Sequence, residues 1–179
     1  MIARLAIMTA LSVVLMLLVR IPFPPAPFLV YDPADVPIYI TSFAFGPVAG
    51  LLVTFVVCFI QAFLLGGDGI YGFLMHFIAT GIVVIVIGVM YNRCRTKKRA
   101  IQALLVSIII STAVMCGMNL IITPVFIGAP VKAVLAMIPT VILPFNLAKS
   151  VVNSLLTFVL YKRISGFLRK DVFIKQKKA

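Results

Sequence analysis

Three polar residues, Asn146, Lys149 and Asn153, interrupt the last long apolar run of this 179-residue chain. Their spacing of i, i+3, i+7 puts them on one face of a helix. Lipid can satisfy neither an ammonium nor a carboxamide, so that face must look into a bundle or a cavity. Asparagine both donates and accepts and can read a planar polar edge, whereas lysine offers only donors and positive charge. This is the chemistry of binding. The competing reading for Lys149 is a side chain that snorkels to the outer interface, if its helix begins at Pro144.

Nothing in the sequence adds catalysis or metal binding. No serine or cysteine has a recognisable base partner, no glycine–lysine phosphate loop occurs, and no His/Cys/carboxylate cluster has ligand spacing. Glutamate is absent, and the four acids are Asp32, Asp35, Asp68 and Asp171. Cys58, Cys94 and Cys116 read as unpaired, and the two in apolar segments as small core residues.

The elements that hold the polar face must be membrane helices. The chain is 63% hydrophobic and 11% charged, with a mean hydropathy of +1.22. A soluble domain of this length cannot bury so much apolar surface. Uncharged runs of about 20 residues match a hydrocarbon core of roughly 30 Å. They run continuously apolar, which excludes a β-barrel. The fold expected is all-α, a single membrane domain of six transmembrane helices over 2–19, 36–45, 47–65, 70–91, 100–125 and 139–161, with a basic tail over 162–179. Gly46-Pro47 separates the second span from the third, Gly66-Gly67-Asp68-Gly69 reads as a turn, Pro124 interrupts the fifth span near its end, and 126–137 reads as a short loop.

The net charge is +12, and the basic residues lie at segment ends, where topology rather than nucleic acid explains them. Arg93, Arg95, Lys97, Lys98 and Arg99 crowd one loop, and seven more basic residues occupy the tail. Both are therefore placed inside, and six spans put both termini on the cytoplasmic side of the cell membrane.

This orientation gives the other polar residues a depth. Gln61, His76 and Asn119 fall in the outer parts of spans three, four and five, level with Asn146 and Lys149. Each has a plainer reading alone: His76 as a packed histidine, Asn119 as a bond to a neighbouring helix. Together they describe an outward-facing pocket for a small molecule with several hydrogen-bonding edges and an apolar body. The segment Arg20–Pro37 would cover it. Six prolines keep that segment extended, and Phe28, Leu29 and Tyr31 make it too apolar for a solvated linker. Asp35 reads as the cap of the helix that follows. In span one, Ala6-x-x-x-Ala10 is a small-residue pair that lets another helix approach closely.

Tyr31-Asp32-Pro33-Ala34-Asp35-Val36-Pro37, Phe45-Gly46-Pro47-Val48-Ala49-Gly50 and Leu143-Pro144-Phe145-Asn146-Leu147-Ala148-Lys149 resemble the substrate-binding (S) components of energy-coupling factor (ECF) transporters, above all the riboflavin-binding ones. The resemblance covers nearly the whole chain. It implies a prokaryotic, multi-pass subunit that captures a vitamin outside and delivers it with a transmembrane coupling protein and two cytoplasmic ATPases. The chain itself would be no enzyme and bind no cofactor; riboflavin would be its substrate and ATP would be used by the partners. The resemblance places Asn146 and Lys149 against the substrate, with Phe28, Leu29, Tyr31 and Asp32 in the covering loop and Ala6 and Ala10 on the coupling protein. Asn153, His76, Asn119 and Gln61 complete the candidate substrate contacts. His76 stands where many riboflavin binders carry asparagine, so an S component for a cobalamin- or pyridoxine-type vitamin is the alternative, and a stand-alone facilitator is a further one.

Overall fold

Proline and glycine set the boundaries of the elements. The computed structural model describes residues 1–66 and 69–176, with side chains described over 1–65 and 69–161. Helix α1 (Ile2–Leu18) leads into a β-hairpin of β1 (Ile21–Phe23) and β2 (Ala26–Tyr31). Helices α2 (Asp35–Phe45), α3 (Pro47–Phe59), α4 (Gly69–Arg93), α5 (Lys97–Ile127), α6 (Val131–Met137) and α7 (Leu143–Gln176) follow. A π-helical stretch, Ile60–Gly66, prolongs α3, and another, Ile138–Ile142, joins α6 to α7. The described residues therefore form six helical runs. Four are long and apolar enough to cross a membrane: Pro47–Leu65, Gly69–Arg93, Lys97–Ile127 and Val131–Tyr161. Helix α1 is a shorter apolar helix. The 11 residues of α2 rise only about 16 Å, half of a hydrocarbon core.

Several sequence expectations change here. The fold is not purely helical, because the proline-rich segment pairs with itself as an antiparallel ladder, Ile21 opposite Tyr31 and Pro22 opposite Val30. Pro24 and Pro25 make its turn, where a missing N–H costs nothing. Pro124 does not end α5. It lies in the last turn, and its carbonyl accepts from the N–H groups of Gly128 and Ala129, with Gly128 supplying the left-handed cap (φ +67°). The stretch 126–137 is mostly helix, since Pro130 is the N-cap of α6, and Pro139 is absorbed in the wide π turn. The turn expected over Gly66–Gly69 lies partly outside the described residues. Helix α7 continues past Tyr161 into the basic tail, where no proline stops it.

The core runs between α2, α3, α4 and α5. Ile38, Phe43, Val53, Val57, Val83, Val84 and Ile87 are all buried. Helices α3 and α4 come so close that a Cβ on Gly88 would lie 2.7 Å from the ring nitrogen of Pro47, and Ser42 Oγ donates to the Val84 carbonyl at 2.6 Å. Phe43, Tyr91 and Tyr161 form an aromatic group in which the two tyrosine hydroxyls are 2.7 Å apart. The hairpin has its own small core. Ala26 and Leu29 pack with Val134 and Ile142, and Phe23 meets Phe145 with ring centroids 5.3 Å apart. This packing fixes the hairpin across α6 and the start of α7.

Candidate substrate-binding site

Hairpin and helix α7 meet through polar groups that the apolar sequence around them does not advertise. Lys149 Nζ donates to Asp32 Oδ2 at 2.9 Å and to the Val30 carbonyl at 3.2 Å. Both charged side chains are more than nine-tenths buried. The snorkelling reading of Lys149 is thus replaced: its ammonium is consumed inside the protein. Asp32 also accepts the Ala34 N–H through Oδ1 at 3.1 Å, so it is Asp32, not Asp35, that secures the turn into α2. The N-cap position is Ala34, and Asp35 is the first helical residue. Burial alone would push the Asp32 carboxyl up. The Lys149 charge, reinforced by His76 and by the hydrogen bonds from Lys149 and the Ala34 N–H, instead holds it below the ordinary carboxylate value.

One helical turn deeper, Asn153 is fully buried and makes three links. Its Nδ2 donates to the Asp32 carbonyl at 3.3 Å and to Asp35 Oδ2 at 3.2 Å, and its Oδ1 accepts from the Tyr31 hydroxyl at 3.3 Å. Thr80 of α4 donates to the other Asp35 oxygen at 3.1 Å. The chain Tyr31–Asn153–Asp35–Thr80 therefore runs from the hairpin through α7 and α2 to α4.

Beneath the hairpin lies a cavity. Seven of the candidate contacts line it: Phe28, Leu29 and Asp32 from the cover, Gln61 from the π-helical end of α3, His76 from α4, Asn119 from α5 and Lys149 from α7. Gln61 reaches it because the wide π turn re-aims the side chains at the end of α3. Asn119 is pre-set by its own helix, with Nδ2 on the Met115 carbonyl at 2.8 Å and Oδ1 accepting from Thr123 at 2.9 Å. Three candidates lie elsewhere. Asn146, with Nδ2 on the Ile142 carbonyl at 2.8 Å, lines a small adjoining cavity of about 20 Å³ together with Asp35, His76 and Thr80. Tyr31 lines an apolar groove on the far side of Phe145. Asn153 is spent on the hairpin bonds above.

The cavity also has walls that the sequence reading did not pick out. Met16, Met75 and Met115 line it, as do Tyr71, Phe126 and Phe145, and Arg20 stands among them with its guanidinium towards the Leu65 carbonyl at 3.5 Å. The methionines carry no polar signal in sequence, and their flexible thioethers fill irregular gaps in a cavity wall. The enclosed space is about 70 Å³, well below the roughly 300 Å³ of a small-molecule site. Admitting an organic ligand therefore requires the lining to move apart. No cluster of three or more His, Cys, Asp or Glu suited to a metal occurs among the described residues. On α1, Met8, Ser12 and Met16 face inward while Ala6, Ala10, Val14 and Leu17 are exposed, which leaves a shallow small-residue face on the outside of the bundle.

Comparison with known proteins agrees with this arrangement. A family model described as "ECF transporter, substrate-specific component" matches residues 1–161. The chain is 29% identical over 176 residues to the riboflavin transporter RibU of Staphylococcus aureus (strain TCH60), covering 93% of each protein. A solved structure of the S component of a bacterial ECF transporter superposes with a TM-score of 0.80 at 29% identity, covering 94% of this chain and 97% of that one.

Proposed function

The chain belongs to the substrate-specific components of ECF transporters, and from that membership we propose that it captures riboflavin at the external face of the cell membrane and hands it to a coupling module. It is a transporter subunit, not an enzyme. The observation that carries the flavin reading is the cavity under the hairpin. Aromatic and thioether walls supply faces for a ring system, and Gln61, His76, Asn119 and Lys149 supply donors and acceptors at one level. The likeness to RibU over 93% of both chains supports the same substrate.

In this reading the six helical runs lie in the bilayer with both termini cytoplasmic, and the exposed basic stretch from Arg93 to Arg99 stays inside. The exposed Ala6–Ala10 face of α1 meets a transmembrane coupling protein, and two cytoplasmic ATPases supply the energy.

The test is direct. Purified protein should quench riboflavin fluorescence with saturation at submicromolar ligand. Absence of quenching at micromolar riboflavin, with tight binding of a cobalamin- or pyridoxine-type vitamin instead, would move the substrate while leaving the family intact. Riboflavin flux through liposomes holding this chain alone would replace the capture role by that of a facilitator.

A further inference from the structure

Asp35 does not line the main cavity, yet it holds Asn153, one of the two α7 side chains that tie the cover to the bundle. We infer that Asp35 is a positioning residue: it fixes the Asn153 carboxamide, and through it the hairpin that closes the site, without touching the ligand. The inference rests on the hairpin being the cover of the proposed binding site.

Asn153 Nδ2 faces two oxygens, the Asp32 carbonyl and Asp35 Oδ2, while its Oδ1 faces the Tyr31 hydroxyl. Both Asp35 oxygens act as acceptors here, Oδ2 from Asn153 and Oδ1 from Thr80. Asp35 therefore favours the orientation of the amide in which the NH₂ points at the Asp32 backbone and the oxygen is left for Tyr31. Tyr31 ends β2 and Asp32 follows it, so both bonds hold the same two residues of the cover. Asp35 is itself held by Thr80 Oγ1 from α4 at 3.1 Å. The tie thus passes from β2 to α7, α2 and α4, and three of those four elements belong to the helical frame. Losing Asp35 leaves the amide with one fewer reason to keep its orientation, and the Tyr31 and Asp32 bonds loosen together.

Asparagine at position 35 can reproduce the geometry. Its oxygen can accept from Asn153, and its NH₂ can donate to Thr80, whose hydroxyl turns from donor to acceptor. Alanine can reproduce neither bond. Positioning and charge are therefore separable.

The experiment has two readouts on Asp35→Ala, Asp35→Asn and Thr80→Val. Hydrogen exchange of the amides from Phe28 to Asp32 reports the cover without any ligand. Stopped-flow riboflavin quenching gives association and dissociation rates. Asp35→Ala should speed exchange in that segment and raise the dissociation rate roughly ten- to a hundredfold, the range for losing a hydrogen bond to a charged group, with association not slowed. Asp35→Asn should change the dissociation rate by about fivefold at most, since it keeps both bonds at the strength of neutral groups. Thr80→Val, which removes a single hydroxyl and serves if Asp35→Ala does not fold, should shift both readouts in the same direction by a smaller factor. Unchanged exchange in Asp35→Ala, or in Thr80→Val where the former does not fold, overturns the inference. So does Asp35→Asn behaving like alanine, because charge would then be the cause, and so does slowed association, because Asp35 would then meet the ligand. Exchange that behaves as expected in a protein that quenches no riboflavin supports the tie and overturns only the flavin reading.

Discussion

Replacing Lys149 by methionine tests whether the buried ion pair holds the cover. Methionine keeps the volume and the apolar stem but removes the ammonium, which lies 2.9 Å from Asp32 Oδ2 and 3.2 Å from the Val30 carbonyl. The Asp32 carboxylate is then left with the Ala34 N–H as its hydrogen-bond donor, in a residue at 4% exposure. Breaking a buried pair from one side costs about 3–5 kcal/mol, because the abandoned charge stays desolvated. For a chain of this size that is a fall in Tm on the order of 10 °C. If the loss falls on the closed state, riboflavin affinity drops roughly a hundred- to a few thousandfold. The assays are thermal unfolding in detergent and riboflavin quenching. The decisive comparison is the double variant Asp32→Asn/Lys149→Met, which removes both charges of the pair and should recover part of the lost Tm. It should not recover affinity, since Lys149 lines the cavity. A single variant with the Tm of wild type, or a double variant no more stable than the single, would refute the reasoning.

Two further outcomes follow from the same geometry. Asp32 has a folded pKa below its ordinary value of 3.8, so its contribution to stability is complete above about pH 4 and is lost as pH falls through the folded value. Tm should therefore hold from pH 7 to pH 5 and drop below pH 4, and the Asp32→Asn/Lys149→Met variant should flatten that drop; an identical drop in both proteins would count against it. Ala6→Leu together with Ala10→Leu fills the exposed face of α1. Riboflavin quenching by the isolated chain should stay as it was, while co-purification with the coupling protein and ATP-dependent uptake fall at least tenfold, the cost of a blocked close helix approach; undiminished co-purification would place the coupling interface elsewhere.

The sequence was most legible where hydrocarbon imposes hard rules. Apolar length marks where the helical runs lie, though the last extends from Val131 to Gln176 rather than over 139–161, and the cost of Lys149 in an apolar segment singles out the helix face on which the hairpin closes. Legibility failed where backbone geometry depends on tertiary partners. Pro124 reads as a break, yet at the end of α5 its carbonyl simply accepts from Gly128 and Ala129. Pro139 reads as a start, yet a π turn carries it within one helical run. Asp35 reads as a cap, because a helix start beside an acid has that meaning locally. Its real partners, Thr80 and Asn153, are 45 and 118 residues away, and no local pattern encodes them. The methionine walls were invisible for a different reason: a methionine facing a cavity and one facing lipid look alike in sequence.

The choice of an ion pair at the cover has a physical consequence. A cover over a transport site must close in one register and still open into water. An apolar latch meets the first need poorly, because hydrophobic contact is non-directional, and every Å² it exposes on opening costs about 25 cal/mol. The Asp32–Lys149 pair behaves otherwise. Its two charges regain their hydration when the hairpin lifts, and that gain offsets much of the Coulomb attraction lost. The directional bonds to Asp32 Oδ2 and the Val30 carbonyl nonetheless accept only one placement of β2 against α7. The pair therefore specifies the closed geometry at small net cost to opening. The apolar contacts of Leu29 and Phe23 with α6 and α7 add non-directional attraction that lengthens the time the cover stays shut. Shaving those contacts should speed opening without changing where the hairpin docks, whereas cutting the polar tie should blur the docking itself.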